Sequence, residues 1–201
     1  MKLFEKVLLL SFILTVLFSF TGLTAGCEEI PNHVLRLHVL ANSDSTSDQT
    51  LKLKVRDRIL KECSGMMDNV NNKEEAVDAV KSRIALLKAA AADEIRKQGY
   101  DYPVNVELTN MYFTTREYDS ATLPAGSYDA LRVTIGKAEG HNWWCVIFPA
   151  MCLPAAEDKK QLSDVLNDSQ LGIVQKREGF VVKFKSVEIY EQVKSYLEKR
   201  S

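Results

Sequence analysis

The feature that most constrains this chain is the run Gly140-His-Asn-Trp-Trp-Cys-Val-Ile-Phe-Pro-Ala-Met-Cys-Leu153. Side chains of an extended strand alternate between its two faces. Trp144, Val146 and Phe148 are therefore predicted on one side, and Trp143, Cys145 and Ile147 on the other. A strand apolar on both faces is central in a sheet, or carries a binding surface on one of them. The run holds both tryptophans, two of the four cysteines and one of the three histidines, so deciding between those roles is most of the functional question.

The rest of the chain supplies a sheet and helices for this strand to join. Val34 to Ala41 reads as a strand, with Leu35, Leu37 and Val39 on one face and Arg36 and His38 on the other. Asn42 to Asp48 is a turn rich in capping residues, from which Ser45 or Ser47 caps the next helix. That helix runs from Asp48 to Gly65, with Leu51, Val55, Ile59 and Cys63 in one stripe and Leu53, Leu60 and Met67 in a second. Lys52 and Arg56 fall between the stripes. Either their stems lie along apolar surface with the charges in water, or they meet Asp44, Asp48 or a partner's carboxylate.

Asn71 or Asn72 caps a second helix, predicted as one piece from Lys73 to Gln98 and ended by Gly99. Its inner stripe is Val77, Val80, Ile84, Leu87, Ala91 and Ile95. Val104, Val106 and Leu108 alternate as a strand, as do Leu131, Val133 and Ile135. Gly136 to Gly140 is a loop, after which the tryptophan strand is expected to pair back as a hairpin. Gln161 to Leu166 reads as a short helix, Phe180 to Phe184 as a strand and Val187 to Lys199 as an amphipathic helix. The order predicts an α+β fold. It has an antiparallel or mixed sheet of about four strands, two helices on one face and a C-terminal strand–helix extension.

The N-terminus bounds where such a domain works. Lys2 and Lys6 precede an apolar run from Val7 to Leu23, then Thr24-Ala25-Gly26, the pattern of an export signal. The run is at the lower edge of what spans a bilayer, so a retained anchor is an alternative. Cys27 after Gly26 resembles a lipoprotein site, although Thr24 stands where an aliphatic residue is usual. All three readings carry the rest of the chain out of the cytoplasm. They divide it into a signal peptide or anchor (1–26), a core (33–153) and an extension (155–201), with a short polar linker from Cys27 to Asn32. The balance of 26 basic against 27 acidic residues leaves no footprint for nucleic acid. Outside the cytoplasm Cys145 and Cys152 are close enough to bridge once the chain bends at Pro149. The alternative is two buried thiols acting as small apolar groups.

Chemistry follows from the faces. With the Leu35 and Leu131 face against the helices, the opposite face carries Arg36, His38, Arg132, Thr134 and one side of the Trp143-Trp144 strand. Arginine interleaved with aromatics on an open sheet face is a candidate protein-binding patch; the alternative is that the C-terminal segment covers it. Cys145 with His38 or His141 and Asp44 has the composition of a thiol-nucleophile site. No nucleophile elbow, zinc-knuckle spacing, phosphate-binding glycine loop or His-Glu-x-x-His motif is present. No cofactor, metal or small-molecule substrate is implied.

Four blocks carry a resemblance. Arg36-Leu-His-Val-Leu-Ala-Asn-Ser-Asp-Ser45, Asp48-Gln-Thr-Leu-Lys-Leu-Lys-Val-Arg-Asp57, Tyr128-Asp-Ala-Leu-Arg-Val-Thr-Ile-Gly136 and Gly140-His-Asn-Trp-Trp-Cys-Val-Ile-Phe-Pro149, with Cys152-Leu153 trailing, resemble the stage II sporulation protein R family. The resemblance implies a signalling protein of endospore formation, exported from the forespore into the space between two membranes. There it triggers a membrane-embedded aspartic peptidase that matures the sporulation sigma-E factor. It implies a ligand and no catalytic residue. On that reading the contact residues are Arg36, His38, Asp44, Arg132, Trp143 and Trp144. The competing classes are an exported thiol-dependent hydrolase of the spore envelope and a structural envelope protein.

Overall fold

A computed structural model describes residues 2–118, 120–153 and 160–175; within its first helix, the side chains at 2, 3, 5, 13 and 16–25 stand outside that description. The elements in order are α1 (Lys2–Glu29), a 3-10 turn (Ile30–His33), β1 (Leu35–Leu40), α2 (Thr46–Met66), α3 (Lys73–Lys81), α4 (Ile84–Lys97) and β2 (Val104–Phe113). Then come β3 (Arg116–Glu117), β4 (Thr122–Leu123), β5 (Gly126–Ile135), β6 (Asn142–Phe148), α5 (Leu162–Val165) and α6 (Asp168–Val174). The fold is α+β with a mixed four-stranded sheet. The chain divides into two compact units, Pro31–Phe113 with Ser127–Leu166, and Met1–Ile30 with Thr114–Gly126 and Asn167–Ser201.

In the larger unit the strand order is β2-β5-β1-β6. β1 runs parallel to β5, with Leu37 opposite Leu131, and antiparallel to β6, with Leu37 opposite Cys145. The Gly136 N–H donates to the Pro103 carbonyl, Arg132 meets Glu107, and Asn110 meets Asp129. These pairs run in opposite directions along β2 and β5, so the two are antiparallel. The expected hairpin between β5 and β6 does not form. β1 lies between them, because the loop after β5 crosses the end of β1 and delivers β6 to its far side.

One sheet face builds the core. Leu35, Leu37, Val39, Leu131, Val133, Ile135, Cys145 and Ile147 pack with Leu51, Val55, Ile59, Val80, Leu87, Ala91 and Ile95 from the helices. Each large apolar side chain so buried contributes about 1.5–3 kcal/mol. Phe148 departs from the expected alternation. The register shifts between Leu35 and Arg36, so that Phe148 pairs with Leu35 while Val146 pairs with Arg36. This irregularity swings Phe148 into the helix-side core.

Ser45 caps α2, accepting from the Asp48 N–H, and Asn72 caps α3, accepting from the Glu75 N–H. The helix expected over Lys73 to Gln98 breaks at Ser82–Arg83. Ser82 Oγ donates to the Ala79 carbonyl and the Arg83 N–H turns back to Val80, a local alternative to the helical ladder. Gly99, at φ 82, ends α4.

In the smaller unit α1 continues through Glu29. The expected polar linker at Cys27–Asn32 is helix and 3-10 turn, because the apolar Cys27 and Ile30 are both buried. Gly26 lies where a Cβ would come within 2.5 Å of Ile173 Cδ1, so α1 and α6 approach closely there. The β3–β4 pair and the bridge between Ala121 and Gln175 complete this unit among the described residues. Among the described residues no helix is long and apolar enough to cross a membrane. The strand expected at Phe180–Phe184 and the helix at Val187–Lys199 lie outside the described residues.

Candidate functional site

The densest polar construction in the larger unit sits where β1 ends. Two glycines four residues apart let the Gly136–Gly140 loop cross residues 41–43. A Cβ on Gly136 would meet Asn42 Oδ1 at 2.2 Å, and one on Gly140 would meet the Ser43 carbonyl oxygen at 2.2 Å. The crossing is pinned by Gly140 N–H to the Ala41 carbonyl (3.0 Å), Glu139 N–H to the Asn42 carbonyl (3.2 Å) and Lys137 N–H to Asn42 Oδ1 (3.0 Å).

Beneath the crossing lies a buried carboxylate. Asp48 accepts from Asn42 Nδ2 at 2.8 Å and Ser43 Oγ at 2.6 Å. These donors, Ser43 first and Asn42 next, hold its carboxyl below the usual range against the opposing effect of burial. Tyr102 also bonds it. The phenol is pushed up, by burial first and by the neighbouring Asp48 charge next.

Lys52, one turn along α2, is 4% exposed. Its Nζ donates to the His141 carbonyl (2.9 Å) and to Gln49 Oε1 (2.6 Å). Burial lowers its pKa, and the Asp44 charge partly offsets this. Of the two readings weighed for Lys52, the structure departs from both. The ammonium neither snorkels to water nor closes on a carboxylate, but ties α2 to the backbone that enters β6. Arg56 lies with its guanidinium 4.1 Å over the Trp143 ring and pairs with Asp57. Above them Asp44 accepts from the His141 N–H (2.6 Å) and contacts His141 Nδ1, with side chains 54% and 77% exposed. The result is a rigid rim that presents an acid and an imidazole to solvent.

The second construction is the sheet face away from the core. The register sets Arg36 beside Val146, and His38 between Arg132 and Trp144. Arg36 is fully buried, its guanidinium 4.0 Å over Phe113 and 4.7 Å over Tyr128. His38 stacks on Trp144 at 3.9 Å, and its Nε2 is 2.7 Å from Asn142 Oδ1. Phe113 abuts Trp144 edge-on at 4.9 Å. Asn142, the first residue of β6, joins this aromatic face to the rim.

The six candidate contact residues therefore separate. Arg36, His38, Arg132 and Trp144 share one face, Trp143 lies on the other under Arg56, and Asp44 stands on the rim. Arg36 and His38 are inside the protein. Asp44 and Arg132 reach solvent, and the two tryptophans are half-buried. Cys145 and His38 are not brought together, since Cys145 pairs with Leu37 and points into the core. Its Sγ is joined to that of Cys152, with Cα atoms 6.2 Å apart. Burial, and after it Glu62, pushes the Cys63 thiol up to about 12, too high for a nucleophile.

Sequence reasoning missed the buried half of the rim, namely Asn42, Ser43, Asp48 and the Lys52 contact. The available signal was the pair Gly136 and Gly140 facing an Asn-Ser-Asp-Ser run.

Comparison with known proteins gives two matches and one absence. A family model described as Stage II sporulation protein R matches residues 31–158. The Stage II sporulation protein R of Bacillus subtilis (strain 168) is 36% identical over 152 residues, covering 69% of this chain and 68% of that protein. No solved structure matches. The matched region contains the rim, the aromatic face and both bridged cysteines.

Proposed function

Because the chain belongs to the stage II sporulation protein R family, we propose that it is an exported sporulation signal that activates a membrane-embedded aspartic peptidase, the one that processes the pro-sigma-E factor. Family membership carries this reading. The basic and apolar leader supports delivery across the forespore membrane into the intermembrane space, either released or held at the membrane.

The chain acts on this reading as a ligand. It binds the active state of the peptidase better than the resting state, and activation is limited by that difference in affinity. Turning a peptidase that is one per cent active into one that is almost wholly active needs about 5.5 kcal/mol of differential binding. A preorganised surface supplies this with little ordering cost. The contact surface is Asp44 and His141 on the rim, with Trp144 and Arg132 beside them. His38 and Phe113 hold Trp144 from beneath, with Arg36 behind Phe113, and Trp143 with Arg56 and Lys52 holds the rim.

Separate alanine substitutions at Asp44, Arg132 and Trp144 test the surface. Each is expected to reduce sigma-factor maturation with export unchanged. Thermal stability stays near the parent for Asp44→Ala and Arg132→Ala and falls for Trp144→Ala, which loses its packing on His38 and Phe113 and is therefore assayed where it is folded. Normal maturation in all three removes this assignment. The hydrolase reading is disfavoured by the opposite facings of Cys145 and His38.

A further inference from the structure

β2 closes one side of the sheet with β5 as its neighbour, and Pro103 reveals which of its backbone groups face outward. The Gly136 N–H donates to the Pro103 carbonyl at 2.8 Å, and Glu107–Arg132 and Asn110–Asp129 continue the same register. Hydrogen-bonded and non-bonded pairs alternate along an antiparallel ladder. With Pro103 in a bonded pair, Asn105, Glu107 and Thr109 direct their N–H and C=O groups to β5. Val104, Val106, Leu108 and Asn110 direct theirs away from the sheet. Among the described residues none of these outward groups makes a backbone bond beyond the sheet.

Natural edges are blunted by proline, lysine, bulges or shortness. β2 carries neither Pro nor Lys and is not short. It has ten residues, about 33 Å of extended backbone, in one register from 103 to 110. Outward donors and acceptors that recur every second residue are matched by one kind of chemistry, another extended backbone.

Charge selects among strands. Glu107, the one carboxylate of β2, stands between the outward-facing Val106 and Leu108, at the middle of the span from Val104 to Asn110, with 43% of its side chain exposed and Arg132 at 3.3 Å on the β5 side. Two copies of β2 paired antiparallel through the outward row from Val104 to Asn110 would set Glu107 against Glu107, and like charges directly opposite are destabilising. A strand bearing Lys or Arg at that point finds a complementary partner.

We infer that the outer edge of β2 docks an extended segment of the partner, with a basic side chain opposite Glu107. This rests on the signalling reading above and adds a second contact, made through the backbone.

Amide hydrogen exchange on the full chain, alone and with the detergent-solubilised peptidase, tests it. In the free chain the Val106, Leu108 and Asn110 amides should exchange fast while Asn105, Glu107 and Thr109 are protected; with the peptidase the first set should become protected. Protection of the outward set in the free chain, by a second copy or the chain's own C-terminal segment, overturns the proposal. So does their remaining fast in the complex. Asn110→Pro removes one outward N–H and leaves the ladder to β5 intact. It is expected to weaken peptidase binding about tenfold, and Asn110→Ala to leave binding near the parent. Equal binding by Asn110→Pro overturns the edge alone. No binding by the unmodified chain overturns the signalling reading and the edge with it.

Discussion

Gly140→Ala puts one methyl group into the crossing that builds the rim. The backbone of Gly140 lies outside the left-handed region, so conformation is no obstacle and the cost is steric. The new Cβ would stand 2.2 Å from the Ser43 carbonyl oxygen and 2.6 Å from its carbon, where ordinary contact begins at 3.4 Å. Both are backbone atoms, so the loop must lift by roughly 1 Å. Lifting breaks Gly140 N–H to Ala41 and Glu139 N–H to Asn42, each a net loss of about 0.5–1.5 kcal/mol. It also draws the His141 carbonyl from the buried Lys52 ammonium, which costs about 1–3 kcal/mol for an unsatisfied donor.

The overlapping losses come to about 3 kcal/mol, a fall in Tm of roughly 6–12 °C for a chain of this size. Gly65→Ala is the matched control. Gly65 is exposed in α2 with no atom within 4 Å of its would-be Cβ, so alanine should add about 0.5–1 kcal/mol through helix propensity. Differential scanning calorimetry on both variants checks the pair. A Gly140→Ala protein melting within about 1 °C of the parent would refute the account of the crossing.

Three further outcomes follow from the site. Asp48 has its pKa depressed by Ser43 and Asn42, so its stabilisation is present above the unfolded value of about 3.9 and is lost as pH falls through the lower folded value. Urea melts across the acid range should show this loss, and Asp48→Asn should flatten it while lowering stability at neutral pH. Lys52 is depressed by burial, so the penalty for burying its charge persists below its folded pKa and is relieved as pH rises from there towards about 10.4. Lys52→Met should reduce that alkaline gain in denaturant melts. Replacing Cys145 and Cys152 together by serine opens an eight-residue loop and should cost about 2–3 kcal/mol. The parent should lose a similar amount when reductant is added, and the double variant should be indifferent to it.

The parts legible in the sequence are those whose signal is local. Leu51, Val55, Ile59 and Cys63 are all buried, because four-residue spacing on an amphipathic helix admits one inner face. Ser45 and Asn72 cap as their chemistry dictates. The break at Ser82–Arg83 escaped because Val80 and Leu87 are seven residues apart, so the inner stripe stays in phase across it. β6 reads as a strand from its own residues. Its neighbour is decided by how Gly136 and Gly140 route the loop over Asn42 and Ser43, which alternation does not encode. Phe148 changes face for a related reason, since an irregular pairing depends on the partner strand. The candidate contact set split between faces because Trp143 and Trp144 are adjacent and must point oppositely. Arg36, chosen as a surface cation, is buried between Phe113 and Tyr128, where ring faces replace water around the guanidinium.

The measurement that bears most directly on the signalling role is reconstitution in a non-sporulating host. This chain is co-expressed with the candidate aspartic peptidase and its pro-sigma substrate, and the length of the sigma factor is followed by immunoblot. The expected result is cleavage that requires both this chain and the catalytic aspartates of the peptidase, and that persists with the Cys145→Ser, Cys152→Ser protein at a temperature where it is folded. Cleavage that proceeds equally without this chain, or none when all three are present and folded, would contradict the proposal that it is the activating signal.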